Sequence, residues 1–162
     1  MRMAQGKKQV KGLIEKRVLI QASPAIIYKA LTDAKDLSRW FCDRASSDPH
    51  AGGELTAHWT QGNRSGRAIF QRITPGTLVE LKWVEESNNA PPGSFDHTLT
   101  FSIHTRRGAS EVHMCDVDRR HADEETMAVL DEGWNYVLME LKDYCERKER
   151  SARARAAKEI LE

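Results

Sequence analysis

The sequence is poor in the features that announce a compartment or a reaction. It holds three cysteines, Cys42, Cys115 and Cys145, and none stands at the two-residue spacing that metal and redox motifs need. A reducing compartment is the natural reading. No apolar run approaches the length of a membrane span, and Met1 to Arg17 is basic and polar where a secretory signal would be apolar. The expectation is therefore a cytoplasmic protein, and the acceptor-like tripeptide Asn63-Arg64-Ser65 carries no weight without a secretory context. An excess of one charge is missing too: 25 Lys and Arg against 24 Asp and Glu leave a formal net charge of +1, so no broad field draws nucleic acid or anionic lipid. There is no serine elbow and no cysteine–histidine signature, and Gly52-Gly53 is too short to cradle a phosphate. No catalytic residue, cofactor or metal is expected.

What is present is enough apolar material for one core. The 162 residues are 40% hydrophobic and contain no internal repeat, which makes a single domain the default. The apolar period switches between two and about 3.6 along the chain. Ile14, Val18, Ile20 and Ala22, with Lys16 among them, share one face of a first strand, which Ser23-Pro24 ends. Serine before proline starts helices, so Pro24 to Leu31 reads as helical, and Asp33 or Asp36 caps a second short helix toward Trp40-Phe41. Ser47, Asp48, Pro49 and Gly52-Gly53 read as turns. A meander follows: Leu55, Ala57 and Trp59 on one strand, Ala68 and Phe70 on the next, Val79, Leu81 and Trp83 on a third, with turns at Gly62-Asn63 and Pro75-Gly76. Glu85 to Gly93, with Pro91-Pro92, reads as a rim loop. Phe95, His97, Leu99, Phe101 and Ile103 then alternate cleanly with polar residues, Arg107-Gly108 turns the chain, and Val112 and Met114 face inward on a last strand.

A long helix is expected from about Asp123, with Met127, Leu130, Trp134, Val137, Leu141 and Cys145 as its core stripe. Beyond Glu146 charge takes over, although Glu146 with Arg150 and Glu149 with Arg153 have helix-supporting spacing. The basic residues Arg147, Lys148, Arg150, Arg153 and Arg155 read as a solvated face rather than a binding surface. Gly133 stands out because glycine within a helix costs about 1 kcal/mol relative to alanine. On the buried side it would allow close packing on the sheet or open a void. The aromatic residues fit either a filled core or a lined pocket, since periodicity does not separate the two. His97 interrupts an apolar face and reads as a satisfied core histidine or a group beside a guest. A metal set of His97, His113 and Asp116 is disfavoured, because their faces do not clearly agree.

The ordered motifs resemble the START-like (SRPBCC) superfamily and, within it, the homologues of the heat-shock-protein-90 ATPase activator. Ala22-Ser23-Pro24, Ile27-Tyr28, Ala30-Leu31-Thr32-Asp33 and Leu37 followed by Trp40 look like its opening signature. Gly52-Gly53-Glu54, then Pro75 through Leu78-Val79 to Trp83, then Gly133-Trp134 followed by Leu138 and Leu141-Lys142 continue it. The match runs from about Lys16 to Tyr144. It implies an α+β helix-grip fold: a curved antiparallel sheet wrapped around a long carboxy-terminal helix, with two short helices after the first strand. A cavity is implied between sheet and helix, with Trp40, Phe41, Trp59, Phe70, Leu81, Trp83, Phe95, His97, Leu99, Phe101, Met114 and Trp134 as lining and Gly133 giving room.

Asp116 stands where the family often carries a histidine, and the glycine before Phe70 lies earlier than usual. Met1 to Lys16 offers no counterpart to the separate amino-terminal domain with which the eukaryotic activator engages its chaperone. The chain thus divides into an extension (1–13), the helix-grip domain (14–146) and a charged tail (147–162). The expected function is binding of a small hydrophobic ligand, lipid-like or aromatic, by a monomer or homodimer. Two alternatives stand beside it. One is a protein-interaction or chaperone-accessory module acting through the tail or a sheet face, and the other is an enzyme with His97 or Asp116 as acid or base.

Overall fold

The computed structural model describes residues 13–86, 97–118 and 123–161. Residues 1–12 of the extension, 87–93 of the expected rim loop and Phe95 lie outside the described residues, whereas Leu13, Glu85 and Glu86 belong to strands. Strand β1 (Leu13–Ile20) leads into helices α1 (Pro24–Thr32) and α2 (Ala34–Trp40). Six strands follow: β2 (Arg44–Ser47), β3 (Glu54–Trp59), β4 (Arg64–Thr74), β5 (Leu78–Glu86), β6 (His97–Arg106) and β7 (Ala109–Asp118). Helix α3 (Glu124–Leu161) closes the chain. The seven strands form one antiparallel sheet in the order β1-β7-β6-β5-β4-β3-β2, so the first strand crosses over to pair with the last. This is the helix-grip architecture that the resemblance implies. No helix among the described residues is long and apolar enough to cross a membrane.

Local chemistry places each boundary. Ser23 Oγ accepts from the Ile26 amide at the start of α1, with Pro24 in the first turn. Of the two candidate caps for the second helix, Asp33 does the work, accepting from the amides of Lys35 and Asp36. Asp36 itself is buried. Asp123 caps α3 by accepting from the Thr126 amide at 2.7 Å. Arg107 and Gly108, both at positive φ, form the two-residue turn between β6 and β7. At Gly53 a side chain would stand 1.9 Å from the Asp48 carbonyl oxygen, so only glycine fits where this loop pairs with Phe70. Strand β2 escaped the sequence reading, which took Ser47 for a turn. Three of its four residues are polar, and it is an edge strand paired only with β3. Strand β4 carries register shifts at Arg67/Ala68 and Phe70/Arg72, the stretch in which its glycine is displaced.

The period-two residues pack the inner face as expected, with Ile20, Phe70, Val79, Val112 and Met114 fully buried. Helix α3 meets this face unevenly. Its middle is sealed by Leu138, Leu141, Tyr144 and Cys145, whereas Leu130 from the expected stripe is exposed, as are Val129, Tyr136 and Met139. The ion pair between Lys16 and Asp131 (2.8 Å) tethers the first half. An exposed pair of this kind contributes at most about 1 kcal/mol. Each buried leucine contributes about 2–5 kcal/mol on truncation to alanine, so the middle of the helix holds the rest in place. Polar contacts add precision there: Lys142 Nζ donates to the Leu19 carbonyl, Glu146 accepts from the Gln21 amide and Glu149 from the Ser23 amide. The helix runs through the tail boundary at 146 without a break, and Glu149 also pairs with Arg153 at 2.9 Å. Burial pushes the Cys145 thiol up to about 12, aided by Asp36 and Glu146, so it remains a protonated core residue.

The Tyr144 hydroxyl donates to the buried Asp36 carboxylate, and Lys29 Nζ stands 3.3 Å from its other oxygen. Burial, the largest influence, pushes the carboxyl up; the contacts with Tyr144, Asp33 and Lys29 outweigh it and leave the group below its ordinary value. A carboxyl with a depressed folded-state value stabilises the fold above its unfolded value and loses that contribution as pH falls through the folded one. Tyr144→Phe is expected to cost about 1–3 kcal/mol at neutral pH, with the deficit shrinking in acid. Urea unfolding of both proteins across the acid range checks this, and a deficit independent of pH contradicts it.

Candidate functional site

Because α3 seals the sheet only along its middle, a chamber of about 400 Å³ remains between the helix, α2 and strands β3 to β6. Its floor is the inner face of the sheet, where antiparallel register sets Leu81 beside Leu99 and Trp83 beside His97. Trp40 and Phe41, at the end of α2, form one wall, and Trp134 and Val137 of α3 another. Phe41 is the hub of the aromatic lining: its ring centroid lies 5.4 Å from Trp40, 5.3 Å edge-on from Trp59 and 6.4 Å from Trp83. Phe101 meets Trp134 edge-on at 6.3 Å. These rings are pinned by their polar ends, since Trp40 Nε1 donates to the Ala30 carbonyl and Trp59 Nε1 to that of Phe41, both at 2.8 Å. All four tryptophans of the chain line the chamber.

One side of this apolar space is polar and held firmly. Asp116 is buried on β7, accepting from His97 Nδ1 and from Trp134 Nε1, each at 2.8 Å. A carboxylate only accepts, so this contact fixes a proton on Nδ1 of His97. At the opposite side Arg64 lies over Trp59, its guanidinium carbon 5.1 Å from the ring centroid, and Glu140 of α3 completes the rim. The chamber can thus desolvate an apolar guest and offer hydrogen-bonding groups at two points. Among the described residues, no serine, threonine or cysteine lines it, and the one hydroxyl in the lining is the phenol of the exposed Tyr136.

Of the expected lining, the chamber assembles Trp40, Phe41, Trp59, Leu81, Trp83, His97, Leu99, Phe101 and Trp134. Phe70 and Met114 do not belong to it. Both have no exposed surface and sit in the filled part of the core, because inward parity on a strand does not say whether anything stands opposite. Gly133 is also corrected: it is exposed, and a side chain there would meet nothing within 4 Å, so it neither permits close packing nor faces the sheet. Phe95 lies outside the described residues. The sequence reading missed Leu31, Leu37, Leu55, Arg64, Tyr136, Val137 and Glu140 as lining. Leu37 and Leu55 stood in apolar positions and were within reach of that reading; Arg64 and Glu140 gave no signal. His113 points to the sheet face opposite His97 and Asp116, so those three do not converge.

A sheet gripping a carboxy-terminal helix over an internal chamber defines a START-like protein. Within that class the chain belongs to the family described as Activator of Hsp90 ATPase homolog 1-like protein, which matches residues 21–146. No curated protein matches the chain. Among solved structures, the Aha1 dimer from Colwellia psychrerythraea is similar at 23% identity and a TM-score of 0.69, covering 83% of this chain and 96% of that one. Protein MLL2253 from Mesorhizobium loti is similar at 14% identity and a TM-score of 0.72, covering 83% and 97%. PFC0360w, an HSP90 activator from Plasmodium falciparum, follows at 18% identity and a TM-score of 0.58, covering 75% and 86%. At these identities the likeness speaks for the fold.

Trp134→Phe keeps a ring in the wall but leaves a buried Asp116 oxygen without its donor. It is expected to cost about 1–3 kcal/mol. Val137→Ala removes a side chain that already borders open space, and is expected to cost less. Chemical denaturation of the two variants checks the order.

Proposed function

We propose that the protein binds a small, largely apolar ligand in the chamber beneath α3, with His97 and Asp116 orienting it from one side. The observation that carries this reading is a volume of about 400 Å³ whose walls are mostly apolar and rich in tryptophan, left open although the surrounding core is filled. That volume lies toward the lower end of ligand sites, roughly 300–1,000 Å³. It suits a compact ring system or a short acyl chain better than a large lipid. Removal of the guest from water would supply most of the affinity. Binding to the folded state alone raises stability by about 2.7 kcal/mol at a hundredfold excess over Kd.

Thermal unfolding with short fatty acids, sterols and fused aromatic compounds tests this directly. The expected result is a dose-dependent rise in Tm for one class and its absence in Leu99→Trp, which fills the floor of the chamber. Native mass spectrometry of gently purified protein reports any guest carried along, together with subunit number. No shift with any class and no added mass would remove the reading.

A second reading, an accessory module for an HSP90-type chaperone, is supported by the family description and by a basic helical extension that projects Arg147, Arg150, Arg153 and Arg155 into solvent. It requires purified chain to raise chaperone ATPase turnover, and truncation after Glu146 to abolish the effect.

A further inference from the structure

We propose that the outer face of the sheet carries a transition-metal site, formed by Glu15 of β1 with His113 and Cys115 of β7, whose donors best fit Zn²⁺. It lies on the side of the sheet away from the chamber and is independent of what the chamber binds. Antiparallel register places Glu15 directly opposite Cys115, and period-two alternation brings His113 to the same face one step along. The carboxylate oxygen, imidazole nitrogen and thiol sulfur lie within 4.8 Å of one another. His113 Nε2 is already 2.7 Å from Glu15 Oε2. A tetrahedral zinc ion has bonds of about 2.0–2.3 Å, which separates its donors by roughly 3.3–3.8 Å. Side-chain rotation of about an ångström closes that gap without moving the backbone.

The surroundings suit an ion. Glu15 is exposed and the other two are half-buried, so a cation reaches all three and keeps its fourth position toward solvent. Strands β1 and β7 pair along all of β1, from Leu13 to Ile20, which holds the ligand positions rigid. The β6 residues opposite His113 and Cys115 are Ser102 and Thr100, both small. Arg17, opposite His113, is the one basic side chain facing the site from β1, and it weakens the attraction without supplying a competing ligand. A thiolate with an imidazole selects zinc over magnesium or calcium, which prefer oxygen ligands. On binding, the Sγ–H proton is released to solvent, the neutral imidazole ligates through Nε2 with its proton on Nδ1, and no electron moves. The ion would fasten the edge strand to its neighbour.

Cobalt titration of the full, reduced chain provides the test. The expected result is one equivalent bound with a thiolate-to-cobalt charge-transfer band, displaced by Zn²⁺, and a rise in Tm with zinc. Cys115→Ser is expected to abolish the band, and His113→Ala and Glu15→Gln to weaken binding by about tenfold or more. All three changes are on the outer face, so circular dichroism should report an unchanged fold. Failure to bind cobalt, binding without the thiolate band, or an undiminished band in Cys115→Ser would overturn the proposal.

Discussion

Everything in this molecule turns on how a 38-residue helix is attached to a sheet that it covers unevenly. The attachment is concentrated around Leu138, Leu141, Tyr144 and Cys145, where apolar burial is reinforced by the Asp36 carboxylate and by side chains that close on the backbone at Leu19, Gln21 and Ser23. Those polar contacts are specific in direction as well as favourable. They fix the angle at which the helix leaves the corner between β1 and α1. Its earlier turns then stand over the sheet, met by Lys16, Asp116 and the Phe101 ring. The chamber is the space those turns span without filling.

Much of this was legible in the residues. Alternation on β3 to β7 gave the faces, serine and aspartate gave the caps, and glycine with its neighbours gave the turns, because each of these is a local constraint on the backbone. The lining role of the four tryptophans came instead with the family resemblance, because alternation fits a filled core as well as a lined pocket. Depth was not legible. Phe70 and Leu81 are both inward residues and cross-strand partners, yet one is enclosed by side chains and the other borders the void. What decides between them is the position of α2 and α3, set by contacts more than a hundred residues away in sequence, such as Tyr144 with Asp36. Gly133 misled for a related reason: helical periodicity names a face, but not whether the face arrives at anything.

The two faces of the sheet use similar residues to different ends. Inside, His97 and Asp116 satisfy one another and an indole where both are largely shielded from solvent, which holds them in one arrangement. Outside, one residue earlier on the same strand, Cys115 sits with Glu15 and His113 where solvent reaches. A shift of one position along β7 thus separates a group on the chamber side of the sheet from one on its outer face.

Every indole in the chain borders the same hollow, and this has an optical consequence. The tryptophan emission of the protein originates entirely from its walls, with no background from indoles elsewhere. Whatever enters, be it solvent, detergent or a coloured guest, must alter the spectrum or quench it. The fold therefore reports on the state of its own interior without any attached dye.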